Sequence, residues 1–276
     1  MKYGADVLEH KEIGNKVIYK FFIEELMKCR RDTKGYTTIY EVMEDPSLKK
    51  AVWAETCRAN HRKKDGIPYA VDLYEYHRGA KGCVSIFRPS MAKHIYKTYG
   101  ATSVLDPCAG WGGRLLGAYS LDIDYIGFDT NTSLEHCYTN MQAYLSQAQV
   151  QVEGRRVRAH KQVVDFQDCM GVDFSKIDYD FVFTSPPYEN LELYEGMAPW
   201  KSEADFYAWL IALIQKCLDN IAPTGSVCFN ISIPMYEKLT QKYEYPHCHH
   251  KFPLCNKKSN RGKNQKEEFC YTWQAK

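Results

Sequence analysis

Two short segments of this chain combine residue types and spacings that suit chemistry. The first is Asp106-Pro107-Cys108-Ala109-Gly110-Trp111-Gly112-Gly113, which follows the apolar run Ser103-Val104-Leu105. Glycines at 110, 112 and 113 let the backbone approach a ligand closely, and the helix expected from Arg114 offers free N–H groups at its start. Asp129 stands 19 residues after Gly110, at the end of the next apolar run, Tyr125-Ile126-Gly127-Phe128. A carboxylate placed there can accept hydrogen bonds from both hydroxyls of a ribose. The layout suits a nucleoside-type ligand; the plainer alternative is a glycine turn used for close packing. A dinucleotide fits less well, because Gly-Trp-Gly-Gly is not the pyrophosphate fingerprint and Trp111 is bulky where open backbone is needed. No Gly-Lys-Ser/Thr follows, so a phosphate loop is excluded.

The second segment is Ser185-Pro186-Pro187-Tyr188, reached from the apolar run Phe181-Val182-Phe183-Thr184. Two successive prolines remove two N–H donors and fix two φ angles. The product is a stiff turn whose carbonyls are available as acceptors. The Ser185 hydroxyl and a neighbouring carbonyl can receive the two N–H bonds of an amino group, and Tyr188 offers a flat face on which a base can stack. Such a tetrapeptide in a linker would carry no meaning. Its place after a strand, 71 residues beyond Arg114, makes it a candidate site.

Together these segments resemble motifs I and IV of the S-adenosylmethionine-dependent amino-methyltransferases of DNA, which make N4-methylcytosine or N6-methyladenine. Phe87-Arg88-Pro89 is similar to their motif X, beside the cofactor. The resemblance covers about residues 85–276. It implies that Phe87, Asp106, Cys108, Ala109, Gly110, Gly112, Asp129 and Asp168 bind S-adenosylmethionine, with Asp165 as the competitor of Asp168 at the adenine. It implies that Ser185, Pro186, Pro187 and Tyr188 carry catalysis. Glu268-Phe269-Cys270-Tyr271-Thr272-Trp273 is similar to the last strand of the family's sheet. The motif I run departs from the usual family pattern at Cys108, Trp111 and Gly113, and is similar to a subgroup of phage and large DNA viruses. Ser at 185 leans toward cytosine N4, with adenine N6 as the runner-up. An RNA base, or an inactive binding subunit on the same fold, are the remaining readings. A target base must flip out of a duplex or arrive single-stranded.

Other candidates carry less. His247-Cys248-His249-His250 with Cys255 and Cys270 invites a zinc site, but adjacent residues cannot all face one ion and no Cys-x-x-Cys is present. No metal is therefore expected. The stretch from Lys257 to Lys266 is a basic hairpin loop, as suited to phosphate contact as to plain solvation. Lys16, Lys20, Lys28, Arg30 and Arg31 are read first as an ordinary surface face.

The elements that must position these residues follow from periodicity. Residues 1–80 read as helical, with Val17, Ile18, Phe21, Phe22, Ile23, Leu26 and Met27 at helical spacing, a second helix from Pro46 toward His61, and a turn at Lys63–Gly66. From residue 85, helices predicted at about 90–99, from 114, at 134–148 and at 204–220 alternate with strands. The strands fall at 103–105, 125–128, 156–164, 181–184, 226–231, 251–254 and 269–273. Alternation implies an α/β, doubly wound, mainly parallel sheet, and the resemblance implies that it is a seven-stranded Rossmann-like methyltransferase sheet. The division expected is a helical N-terminal segment, 1–84, and a catalytic domain, 85–276.

Charge divides along the same lines. The net charge of +2 resolves into a basic first 84 residues, an acidic middle and a basic stretch from 240 onward. The first ten residues lack an apolar run of signal length, and no apolar run of membrane-spanning length is present. The 11 cysteines have irregular spacing, which argues against a disulfide framework. These features imply a reducing, cytoplasm-like or nucleoplasm-like setting, in a host cell if the viral resemblance holds. The expected partner is DNA, with no membrane. No room is left between the motifs, or after Tyr188, for a separate target-recognition domain. Recognition would then fall to 1–84, to the loop from Tyr188 to Trp200 and to the basic loop. Binding held mainly through phosphates is expected to weaken with salt by roughly one unit of log–log slope per phosphate contacted. Salt-insensitive binding to one long, strictly specified site in a titration series would contradict this placement.

Overall fold

A computed structural model describes residues 13–29, 38–60, 69–81, 84, 86–147, 161–188, 200–254 and 268–275. The Lys63–Gly66 turn, Arg30, Arg31, the start of the third predicted strand, most of the loop from Tyr188 to Trp200, and the basic loop after Leu254 lie outside them.

Among the described residues four helices come first: α1 (Asn15–Lys28), α2 (Ile39–Glu44), α3 (Pro46–Asn60) and α4 (Ala70–Lys81). α2 opens on a capping box, with Thr38 Oγ1 accepting from Glu41 N while Glu41 accepts from Thr38 N. α5 (Pro89–Tyr99) starts on a proline and ends at Gly100, which holds φ 67° as a left-handed cap. Then follow β1 (Ser103–Asp106), α6 (Gly113–Tyr119), β2 (Asp124–Phe128), α7 (Glu135–Gln147), β3 (Gln162–Asp165) and β4 (Phe181–Thr184). The chain continues through α8 (Glu203–Asn220), β5 (Ser226–Ile231), α9 (Ile233–Glu237), β6 (His250–Leu254) and β7 (Glu268–Gln274). A short 3-10 turn, Thr132–Leu134, delays the start of α7 relative to the periodicity because the Asn131 side chain accepts from Ser133 N. Sequence periodicity did not separate α2 from its surroundings and did not single out α4.

The strands form one sheet in the order β3-β2-β1-β4-β5-β7-β6. β1 to β5 pair in parallel, and β7 runs antiparallel between β5 and β6. This is the doubly wound, mainly parallel seven-stranded Rossmann-like sheet expected from the sequence. Alternate residues serve its two faces. Val104, Phe181, Phe183 and Cys228 join one apolar cluster, and Leu105, Val182, Val227, Phe229 and Ile231 join the other. α8 covers the second face with Phe206, Tyr207, Leu210, Leu213, Ile214 and Cys217, all buried. No described helix is long and apolar enough to cross a membrane.

The N-terminal helices enter the first face. Ile18, Phe22 and Leu26 of α1 belong to the same apolar cluster as Leu115, Tyr138 and Met141. The Phe22 ring meets Trp111 edge-on at 6.4 Å between centroids and Tyr138 at 5.1 Å. Tyr74 of α4 and Val84 join that cluster too, and the Tyr74 hydroxyl donates to the Val84 carbonyl at 2.6 Å. Among the described residues the core is therefore continuous across residue 84. Trp111, which looked out of place in a ligand turn, points back at α1 and is almost fully buried. Phe22→Ala is expected to destabilise the fold by about 3–5 kcal/mol, read as a shifted urea midpoint. A midpoint unchanged from wild type would mean that α1 is not part of the core.

Candidate functional site

In the strand order, connections turn back between β1 and β4, so these two neighbours form the switch point where ligands of doubly wound sheets bind. The turns that follow these strands are the two segments singled out above. They are joined directly, since the Cys108 N–H donates to Thr184 Oγ1 at 3.1 Å.

The turn after β1 is held by hydrogen bonds at Cys108, Ala109 and Gly110. The Ala109 N–H donates to the Phe128 carbonyl at 2.8 Å, and the Gly110 N–H to Asp129 Oδ2 at 2.7 Å. The Tyr138 hydroxyl lies within reach of the Ala109 and Gly110 carbonyls, 3.2 and 2.9 Å away. Gly110 and Gly112 have φ of 58° and 74°, a region that side chains resist. Gly113 is required for another reason: a Cβ there would lie 1.9 Å from the Phe87 carbonyl oxygen. A Cβ at Gly110, by contrast, would meet nothing closer than 3.8 Å, so the turn is open at that point.

Beneath the turn lies a buried ion pair that the sequence did not reveal. Arg114 Nε donates to Asp106 Oδ2 at 2.6 Å, with the two side chains 5% and 0% exposed. A second guanidinium nitrogen donates to the Cys108 carbonyl, and the Tyr125 hydroxyl donates to Asp106 Oδ2 at 2.6 Å. Burial works against the Arg114 charge, but the Asp106 carboxylate beside it raises the guanidinium pKa above its ordinary value. Burial, with the Asp106 charge added, pushes the Tyr125 phenol up, so it remains a donor. Asp106 thus lies under the turn and shapes it.

Asp129 is half-buried at the end of β2. Its Oδ1 accepts from Asn131 N at 2.9 Å and its Oδ2 from Gly110 N. Each oxygen keeps acceptor capacity for a further donor. Burial raises its pKa above the ordinary carboxylate value, with the Asn131 and Gly110 N–H groups pulling the other way. Cys108 is half-exposed and Ala109 buried; burial raises the Cys108 thiol well above its usual value. Asp168 is exposed after β3, where its Oδ1 accepts from Met170 N at 2.9 Å. Asp165 is exposed at the last position of β3. Phe87 sits edge-on to Phe183 at 5.1 Å, near the Arg114 guanidinium.

At the second turn, Thr184 and Pro186 are buried and Ser185, Pro187 and Tyr188 half-buried. Tyr188 packs against the α8-side cluster. Ser185 Oγ lies 3.4 Å from Asn230 Oδ1 and 3.5 Å from the Asn230 carbonyl of β5. Sequence reasoning missed Arg114, Tyr125, Tyr138, Thr184 and Asn230. The available signal was polarity out of place: an arginine opening the apolar run Arg-Leu-Leu-Gly-Ala, and an asparagine inside the apolar strand Val-Cys-Phe-Asn-Ile. Among the described residues no group of three or more His, Cys, Asp or Glu could hold an ion, and Cys255 of the zinc candidate lies outside them.

No family model and no curated protein matches the chain. Solved structures do resemble it. TrmN from Thermus thermophilus matches at 12% identity and a TM-score of 0.46, over 95% of this chain and 78% of its own. A methyltransferase from Pyrococcus furiosus matches at 13% identity and 0.43, over 67% and 82%. An RNA methyltransferase from Salinibacter ruber, in complex with S-adenosyl-L-homocysteine, matches at 11% and 0.41, over 69% and 93%.

The buried pair gives a direct test of the site's framework. Arg114→Met leaves Asp106 without its counter-charge and is expected to cost about 3–5 kcal/mol in denaturant unfolding. A loss below 1 kcal/mol, the range of exposed pairs, would show that the pair does not hold the turn.

Proposed function

We propose that the chain is an S-adenosylmethionine-dependent methyltransferase acting on the exocyclic amino group of a nucleic-acid base, with cytosine N4 of DNA as the first choice and adenine N6 as the alternative. The observation that carries this reading is the pairing of an open glycine turn and Asp129 with Ser185-Pro186-Pro187-Tyr188 across the β1–β4 switch point, tied by the Cys108–Thr184 hydrogen bond.

The residues fit the cofactor. The Asp129 carboxylate retains acceptor capacity toward a ribose, and the turn is open at Gly110. Ala109 and Gly112 shape that turn, Cys108 and Phe87 flank it, and Asp168 after β3, with Asp165 as its competitor, is assigned to the adenine. Bound there, S-adenosylmethionine would supply a methyl group made electrophilic by the sulfonium and leave as S-adenosylhomocysteine, one proton of the amine passing to solvent.

The chain's own residues act on the amine. An aromatic amine is a poor nucleophile because its lone pair is delocalised into the ring. Ser185 Oγ and the Pro186 carbonyl accept its two N–H bonds, which favours a pyramidal nitrogen and turns the lone pair out of the ring. Pro187 stiffens the turn, and Tyr188 stacks on the base. Positioning supplies most of the rate, with no covalent bond to the enzyme. The base enters flipped or single-stranded, and the basic flanks hold the phosphates.

Incubation with unmethylated DNA or RNA, followed by nucleoside mass spectrometry, tests the reading, and the modified nucleoside decides among cytosine, adenine and an RNA base. Ser185→Ala and Tyr188→Ala are expected to lower turnover while cofactor affinity holds. Full activity in both would remove the second turn from catalysis, and no methylated base on any nucleic acid would favour a binding subunit.

Asp129→Ala is expected to weaken S-adenosylmethionine binding by about 1.5–3 kcal/mol in calorimetry. The ionised carboxylate is the acceptor. Affinity should therefore hold at neutral pH and fall as the pH drops through the raised Asp129 pKa, and Asp129→Asn should remove that step. A pH profile unaltered in Asp129→Asn would count against the ribose role.

A further inference from the structure

The methyl-transfer reading needs the Ser185 hydroxyl as an acceptor, yet a serine hydroxyl can equally donate. From the surroundings of Ser185 we infer that Asn230, on the neighbouring strand β5, is a positioning residue that fixes this choice. The inference rests on the proposed role of Ser185.

Asn230 is nearly buried, in the last turn-facing part of β5. Its amide cannot rotate freely between its two orientations. The Nδ2 group donates to the Phe269 carbonyl of β7 at 3.3 Å. A flipped amide would place Oδ1 against that carbonyl, setting two acceptors face to face. The β5–β7 pairing, with Asn230 opposite Cys270 and Ile231 opposite Phe269, keeps the carbonyl in place. Oδ1 therefore faces Ser185 Oγ at 3.4 Å, and the Asn230 backbone carbonyl lies at 3.5 Å from the same oxygen.

Both of these Asn230 atoms are acceptors only. The Ser185 proton points at the nearer of them, Oδ1 at 3.4 Å, the backbone carbonyl at 3.5 Å lying at the limit of hydrogen bonding, and the oxygen's lone pairs are left for the pocket. With the amide flipped, Nδ2 would donate to Ser185 and occupy a lone pair needed by the substrate amine. The antiparallel seventh strand thus acts on the amine-binding turn through one side chain, a link that neither local sequence displays.

The test uses the full chain, with methyl-labelled S-adenosylmethionine and unmethylated DNA, native and heat-denatured, or RNA as acceptor. Asn230→Leu has similar volume and no acceptor. It is expected to lower kcat by roughly 10- to 100-fold, the range for a mispositioned reacting group, with S-adenosylhomocysteine affinity unchanged. In a Ser185→Ala background the same change should add no further loss, because its effect passes through Ser185. In crystals of Asn230→Leu the Ser185 hydroxyl should turn away from β5, a readout that needs no turnover. Multiplicative losses in the double variant, full activity of Asn230→Leu, or an unmoved Ser185 hydroxyl would each overturn the inference. Full activity of Ser185→Ala would instead sink the proposed role of Ser185. If Asn230→Leu fails to bind S-adenosylhomocysteine and to melt cooperatively, Asn230→Asp takes its place. It keeps the acceptor toward Ser185 and should retain more kcat than Ser185→Ala, and a folded Asn230→Asp no more active than Ser185→Ala overturns the inference.

Discussion

Beneath the glycine turn after β1, a carboxylate and a guanidinium share a space closed to water, and most of the candidate site's geometry follows from that. Two charges buried together are tolerated only when their remaining donors and acceptors are filled. Arg114 meets this condition by bonding Asp106 and the Cys108 carbonyl, and Asp106 by accepting also from Tyr125 and from the Cys108 N–H, at 3.3 Å. Each of those bonds fixes a different piece of chain. Tyr125 ties in β2, Cys108 ties in the turn, and Arg114 sets how α6 leaves it. The guanidinium also lies about 6 Å from the ring centres of Phe87 and Phe183, between the segment before α5 and the strand that leads to Ser185.

Close packing around this pair leaves little freedom in the neighbouring residues. Gly113 must lack a side chain because the Phe87 carbonyl occupies its place, and Gly117 because Ala92 does, with a Cβ there only 2.7 Å from the Ala92 Cβ. α5 and α6 thereby sit against each other with backbone almost in contact. On the outer side of the turn α1 closes the structure, with Phe22 against Trp111 and near Gly112. The turn is consequently held from below by a charge pair and from outside by an aromatic cluster, and its open side is the one at Gly110. A turn held in this way spends little ordering entropy when a ligand arrives.

The second turn depends on different neighbours. Thr184 binds it to the first turn, and Asn230 of β5 faces Ser185. Asn230 is in turn bonded to β7, so the sheet's antiparallel edge bears on the centre of the site. The candidate cofactor turn on β1 and the candidate amine-binding turn on β4 are thus joined through short polar contacts.

Much of this was legible in the residues alone, for a local reason. Strands buried on both faces read as continuous apolar runs, glycine and proline mark the turns between them, and the proline at 46 and the Pro89–Gly100 pair mark helix ends. Those signals rest on neighbours in sequence, so β1, β2, β4, β5 and the helices α5 and α8 fell close to their expected places. The order of the sheet, the burial of Asp106, the turning of Trp111 toward α1 and the continuity of the core past residue 84 were decided only in three dimensions. Each depends on a partner distant in sequence: Phe22 is 89 residues from Trp111, and Ser185 is 45 from Asn230. A carboxylate beside glycines reads the same whether it faces a ligand or an arginine on the next helix. The sequence determined that Asp106 and Asn230 would be polar at the ends of apolar strands, and packing alone determined what each of them faces, because only the folded chain brings their partners within hydrogen-bonding distance.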